Sequence, residues 1–288
     1  MSFVIVGNND GPLTLLRALS STTEQPVAVG LQKPVAAPLR EAYLRHVPPD
    51  SLWEGFDEKQ LLARLAPQQP HWLINCFGNF KFKALLDQYA CLNVHLAPLP
   101  RYRGRHPLPW ALINGEPEFG VTIHQMTRAF DAGDIYWQAT VSVDDGMSVH
   151  ALRQRLMEKL KQNFANFWQD FLAERVSPIP NADQEATYVA RRFPEDSQLT
   201  EWHDRDLIYR KTRALCSEAN PAYLQVGQHQ IRVLDAKRSS AFYVGRAVPF
   251  ISRTLADGIV VTCGDGRTVE LLGFNPRTYG LVINQKLF

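Results

Sequence analysis

Asn93, Val94 and His95 close a short apolar run, CLNVH, in which alternate side chains of an extended strand point the same way. The spacing therefore predicts an amide and an imidazole on one face of a strand end. Further along, Asp131 stands in FDAGDI with Gly133 close behind it, where a bend lets a loop aim a carboxylate back at the sheet edge. An amide, an imidazole that titrates near neutrality and a carboxylate are residue types that can manage proton transfer, though this spacing alone is a weak signal of it. Such a set is also what ordinary structural residues leave behind, and His46, His71, His150, His203 and His229 are read that way. None of the eight histidines falls in an HxxxH or HExxH pattern, so no metal is expected.

Those three residues need a scaffold, and the first half of the chain supplies its rhythm. FVIVG, LTLLRAL, VAVGL, EKQLLARL, HWLINCF, FKALLDQYA and CLNVHLA alternate strand-like with helix-like patterns, which predicts βαβ units and a doubly wound, mostly parallel α/β sheet. Ligands of such sheets lie beyond the carboxyl ends of the strands. Asn8 and Asn9 after the first strand, and Cys76 to Asn79 after another, are expected to face that crevice, although the asparagines serve equally well as turn formers. Two further strands are read at 119–126 and 134–142, joined by the loop Thr127 to Gly133. A long helix from about Ser148 to Leu172 carries Leu152, Leu156, Leu160, Phe164, Phe167 and Phe171 in near-helical spacing. VSPIPNADQEA then reads as a linker. A boundary near residue 180 divides the chain into a catalytic domain, 1–180, and a smaller β-rich domain, 181–288. The second holds a helix about Asp204–Cys216 and strands at 222–226, 230–235, 258–263 and 268–273.

Composition removes several classes. With 31 Lys and Arg against 29 Asp and Glu, the net charge of +2 provides no field to hold a polyanion non-specifically. A hydrophobic fraction of 45% is too high for a disordered chain. No apolar run approaches the roughly 18 residues of a membrane span, and the N-terminus reads as a buried strand rather than a signal peptide. Cys76, Cys91, Cys216 and Cys263 form no CxxC pair, so reduced thiols in a cytoplasmic protein are expected, without disulfides or zinc.

The stretch from Cys91 to Gln138 resembles the folate-dependent formyltransferase family. The likeness is carried by Asn93-Val94-His95, LPRYRG at 99–104, Trp110 with NGE at 114–116, GVTIHQM at 120–126 and FDAGDI at 130–135. It continues through Ala186-Thr187-Tyr188 and RRFPEDSQLTEW at 191–202. In detail it is most similar to N-formyltransferases of nucleotide-linked amino sugars, above all those acting on dTDP-3-amino-3,6-dideoxyhexoses of bacterial surface polysaccharides. Enzymes for UDP-4-amino-4-deoxyarabinose, then for methionyl-tRNA, are the next readings, and a non-catalytic folate-binding module is the reading from another class. A tRNA enzyme would want more positive charge than the 14 Lys and Arg against 12 Asp and Glu found from residue 181 onward.

The resemblance implies a Rossmann-like fold, N10-formyltetrahydrofolate as co-substrate and Asn93, His95 and Asp131 as the catalytic trio. Asn93 and His95 would donate to the oxyanion, and Asp131 would hold the imidazole, raise its pKa and help remove the amine's proton. Asp134 would be a bystander. The folate slot would lie between Cys76, Phe77, Gly78 and Asn79 on one side and Met126, Arg128 and Phe130 on the other. A nicotinamide or flavin dinucleotide is not supported, because GNNDG rather than GxGxxG follows the first strand. Asn8, Tyr102, Arg103 and Arg105 are the expected contacts of a diphosphate-linked substrate, since guanidinium forks match phosphate oxygens. LPRYRGRHP also reads as an ordinary solvated loop. A homodimer touching through GLVINQKLF is expected, with neither a nucleic-acid partner nor membrane insertion.

Overall fold

A computed structural model describes residues 1–78, 82–216, 220–245 and 248–287. Strands β1 (Phe3–Gly7), β2 (Ala28–Leu31), β4 (Trp72–Cys76) and β5 (Ala90–His95) come from largely buried apolar runs, whereas the short β3 (Leu52–Glu54) buries only Leu52. Helices α1 (Gly11–Leu19), α2 (Ala37–Leu44) and α3 (Glu58–Leu65) intervene. After β5 come the two-residue strand β6 (Arg103–Gly104), helix α4 (Pro107–Asn114), β7 (Glu118–Gln125), β8 (Ile135–Ser142) and helix α5 (Val149–Leu172). The seven-stranded sheet runs β3-β2-β1-β4-β5-β7-β8, parallel from β3 to β5, with β7 antiparallel to β5.

Strand alternation decides which residues meet which helix. On one face Val4, Val6, Leu73 and Cys91 pack with Leu61 and Leu65 of α3 and with Phe82 and Leu85. On the other, Phe3 meets Trp168 of α5 at 4.7 Å between ring centroids, and Trp72 and Tyr136 meet Phe171 edge-on. Two buried faces explain why these strands show continuous apolar runs instead of alternation.

The segment FKALLDQYA, read as a helix, is a series of turns. Both Lys83 N–H and Leu85 N–H donate to Glu58 Oε1, and Phe82 and Leu85 are drawn into the core. Tertiary contacts override its helical spacing. Helix α4 was hidden inside a proline-rich stretch; Pro107 starts it and Gly115, in the left-handed region, stops it.

Two interleaved compact units make up the chain. The first comprises 1–104, 119–141 and 154–189, and the second comprises 105–118, 142–153 and 190–288. The division near residue 180 remains a proposal. Within the second unit, α6 (Arg205–Leu215) accompanies a hairpin of β10 (Tyr223–Val226) and β11 (His229–Arg232). An antiparallel sheet there runs β12-β15-β14-β13, built from β12 (Asp235–Phe242), β13 (Phe250–Thr254), β14 (Gly258–Thr262) and β15 (Arg267–Leu272). In the first unit, β9 (Tyr188–Val189) pairs with β6, setting Arg103 beside Tyr188 and Gly104 beside Val189.

Candidate active site

At the end of β5 the strand leaves its neighbours buried while Asn93 stays half open. Its cross-strand partners are Asn75 on β4 and His124 on β7, so three polar side chains form a row across the sheet. Gly78 N–H donates to Asn75 Oδ1 at 3.1 Å, and Asn75 Nδ2 donates to Asn93 Oδ1 at 2.8 Å. Asn93 Nδ2 is therefore turned toward His124 Nε2, 3.0 Å away. The other ring nitrogen, His124 Nδ1, lies 2.8 Å from the carbonyl of Gln125, which can only accept, so Nε2 accepts from Asn93. The row sets the amide's orientation and the ring's tautomer together.

Asp131 meets this row from the loop between β7 and β8. Its Oδ1 lies 3.4 Å from Asn93 Nδ2 and 3.6 Å from both His95 Nδ1 and His124 Nε2, while Oδ2 accepts the Gly104 N–H at 2.9 Å. Burial raises the Asp131 pKa, but the neighbouring His124 and His95 imidazoles and the Gly104 N–H outweigh it and bring the group down to about 2. It is a carboxylate at neutral pH. His95 Nε2 donates to the Tyr102 carbonyl at 2.9 Å, which leaves Nδ1 toward Asp131. Burial lowers the His95 pKa, with the neighbouring His124 adding to it, and together these exceed the opposing pull of Asp131 and the Tyr102 carbonyl. Asp131 does pull the ring's pKa upward, as expected, but the fold puts His95 too deep for one carboxylate to compensate. The resting ring is neutral, with a lone pair on Nδ1.

The loop is shaped to present this carboxylate. Asp131 adopts φ 51°, and a Cβ on Gly133 would lie 2.1 Å from the Gln125 carbonyl oxygen, so only glycine lets the loop return beside β7. Asp134 is exposed and uses its backbone carbonyl to accept from Gln125 N–H.

The Formyl transferase family model matches residues 57–166. Across 227 residues the chain is 30% identical to a methionyl-tRNA formyltransferase of Halalkalibacterium halodurans, covering 75% of this chain and 72% of that protein. The chain belongs to the folate-dependent formyltransferase family. A second relative of the same name, from Halorhodospira halophila, is 28% identical over 95% of the chain and 91% of its own length. Among solved structures, an N-formyltransferase from Helicobacter canadensis in complex with folinic acid and dTDP-3-aminofucose superimposes with a TM-score of 0.70. Its identity is 15%, over 94% of this chain and 99% of that one. HypX from Aquifex aeolicus superimposes with a TM-score of 0.66 at 18% identity over 94% of this chain, which spans only 45% of the HypX chain.

The other expected contacts of this formyltransferase are scattered. Phe77, at φ 66°, and Gly78 are half-buried beyond β4, whereas Cys76 is fully buried and Asn79 lies outside the described residues. Met126 is half-buried against the core, Phe130 is 60% exposed, and Arg128 is exposed and pairs with Asp87 at 2.7 Å. Asn8 is buried; its Nδ2 donates to Gln32 Oε1 and to the Phe77 carbonyl. Arg105 is exposed in the second unit. Two expected substrate contacts are corrected. The Tyr102 ring is in the core, edge-on to Phe119, and only its carbonyl reaches the site. Arg103 is 1% exposed, and its guanidinium is taken up by Asn181, Asp183 and Tyr188 instead of facing a phosphate.

Sequence reasoning missed Asn75, His124 and Asn181. Asn75 and His124 left a weak signal, a polar residue inside an otherwise apolar strand.

Proposed function

We propose that the chain transfers the formyl group of N10-formyltetrahydrofolate to the amine of a nucleotide-linked amino sugar, with dTDP-3-amino-3,6-dideoxyhexoses as the acceptor class. The observation that carries the chemistry is the meeting of the Asp131 carboxyl with the His95 imidazole, 3.6 Å away, and with the Asn93 amide, 3.4 Å away, at the end of β5. The neutral amine forms a C–N bond to the formyl carbon, and charge collects on the formyl oxygen. Asn93 Nδ2 holds a long hydrogen bond to Asp131, 3.4 Å, which an oxyanion as a stronger acceptor can take over. His95 Nδ1 takes the proton lost by the amine, and the resulting imidazolium is stabilised by Asp131. The proton passes to N10 as the bond from carbon to N10 breaks, restoring neutral His95 and yielding tetrahydrofolate.

Features of this chain fit the co-substrate. Phe77, Met126 and Phe130 offer apolar surface, and Asn8 Oδ1 is a buried acceptor with no partner among the described residues, suited to a ligand bearing amino hydrogens. Among those residues no group of His, Cys, Asp and Glu is arranged to hold a metal, and no helix is long and apolar enough to cross a membrane.

The sugar reading is supported by the charge state of the second unit. Arg205, Lys211, Arg213, Arg238, Arg253 and Arg267 each sit on a carboxylate of that unit, so part of its positive charge is offset before any phosphate backbone could be met. The names of the superimposing sugar N-formyltransferases agree with it. Methionyl-tRNA is the second reading, favoured by the names of the sequence relatives; UDP-4-amino-4-deoxyarabinose is a competing sugar. Offering the protein dTDP-, UDP- and GDP-linked amino sugars and methionyl-tRNA with N10-formyltetrahydrofolate, and weighing the products by mass spectrometry, decides among them. Formyl-methionyl-tRNA as the sole product would overturn the sugar reading. A homodimer is part of the proposal, and a monomer mass in light scattering rejects that part.

A further inference from the structure

A buried charge is costly unless it is paired, and the two terminal nitrogens of Arg103 find their partners behind the loop that carries Asp131. Arg103 Nη2 donates to the Asn181 carbonyl at 2.9 Å and to Asn181 Oδ1 at 2.8 Å. Its Nη1 donates to Asp183 Oδ1 at 2.7 Å and to the Tyr188 hydroxyl at 3.0 Å. With Oδ1 committed to Arg103, the Asn181 amide nitrogen must point the opposite way. There it donates to the carbonyls of Asp131, at 2.9 Å, and Gly133, at 3.0 Å. These two carbonyls flank Ala132 at the bend where Asp131 is held in the left-handed region, a conformation that its surroundings must enforce. Gly104, the neighbour of Arg103 on β6, donates its N–H to the Asp131 carboxylate from the front. One short strand therefore grips Asp131 twice, once by its side chain and once, through Asn181, by its backbone.

We propose that Asn181, backed by Arg103, is a positioning residue that keeps Asp131 in register with His95 and Asn93, so that formyl transfer reaches its full rate only while this buried brace is closed. The role rests on the reading of Asp131 as the carboxylate that serves His95. Arg103 is thereby a strut of the site rather than a phosphate ligand, and the exposed ends of the brace are Asp183 and Tyr188.

Asn181→Asp tests the brace selectively. It keeps an oxygen for Arg103 but sets a second oxygen against two carbonyls. The expected result is a kcat lowered by about 10- to 100-fold, because a small misplacement of a reacting group has that cost. KM should stay within about twofold. Amide hydrogen exchange across 126–134 should accelerate by about tenfold or more. The groups facing the His95 ring are Asp131 from the loop, His124 from β7 and the Tyr102 carbonyl ahead of β6. As Asp131 withdraws, the His95 titration followed by NMR should move to lower pH, a shift that a merely structural role would not produce. Unchanged exchange and an unchanged His95 titration overturn the proposal. Should Asn181→Asp fail to fold, Asn181→Ala, which adds no charge, is read by the same exchange experiment, and unaltered protection again overturns it. Arg103→Lys, which keeps the charge and loses the fork, should loosen the same segment; if it does not, Arg103 is not the backing. If the wild-type protein formylates no amino sugar, the substrate reading fails, while exchange and titration still decide the brace.

Discussion

Replacing Asp131 by asparagine keeps the shape of the side chain and removes the charge on which the site depends. The folded protein holds this carboxyl at about 2 against an ordinary value of 3.8. That difference corresponds to about 2 kcal/mol of stability contributed by the ionised group. A depressed folded pKa stabilises above the unfolded value and ceases to do so as pH falls through the folded one. The contribution should therefore be complete above about pH 4 and disappear toward pH 2. Asp131→Asn should consequently lose about 2 kcal/mol at pH 7, a drop of a few degrees in Tm, with the deficit closing as acid protonates the wild-type group. Turnover should fall further, by about 10²-fold or more, since the amide can neither stabilise a His95 imidazolium nor orient the ring by charge. Denaturant titrations of both proteins at stepped pH, with formyl transfer measured at pH 7, read the two effects separately. A stability deficit that is the same at pH 3 and pH 7 would refute the electrostatic account of this carboxylate, and full turnover would remove it from the chemistry.

Three further outcomes are expected. His95→Asn should fold and lose about 10²-fold or more in kcat, whereas Asp134→Asn, at an exposed position, should stay within severalfold; equal damage from the two variants rules out the present assignment of the loop. Because burial lowers the His95 pKa below its ordinary 6.5, the acid limb from this ring should lie under that value, and any rise in rate between pH 7 and 9 should follow the acceptor's amine. Acceptors with amines of different pKa should displace that rise accordingly, and a rise that ignores the acceptor would assign it to the protein. Gly133→Ala drives a methyl to 2.1 Å from the Gln125 carbonyl oxygen, so loss of at least 1–3 kcal/mol, about the cost of overpacking, and of most activity is expected, to be checked by thermal unfolding and turnover.

The sequence alone determined the parts of this protein that rest on local pattern. Continuous apolar runs such as FVIVG and WLINC announce strands buried on both faces, and the spacing of Leu152 to Phe171 announces α5. Asn93 and His95 share a face because a strand has period two, and Gly133 marks the bend that turns Asp131 inward. Strands β12 and β13 escaped because they lack that signature. DAKRSSAF is largely polar and solvent-facing, and it becomes a strand through pairing with β15.

What only the tertiary structure decided is register and depth. His124 becomes a partner of Asn93 because β7 inserts antiparallel beside β5, and nothing local to GVTIHQM sets that pairing. Asn75 joins the row for the same reason, through the parallel register of β4. The protonation of His95 turns on a contest between burial and one carboxylate, and burial is a property of everything packed around the ring. Arg103 shows the same limit most plainly. In LPRYRG it looks like a surface cation, and it is inside because Asn181, Asp183 and Tyr188, far along the chain, are brought to it by the β6–β9 pairing. Local sequence sets propensity and alternation, whereas which strands become neighbours, and which charges their union buries, depends on contacts between residues distant in the chain.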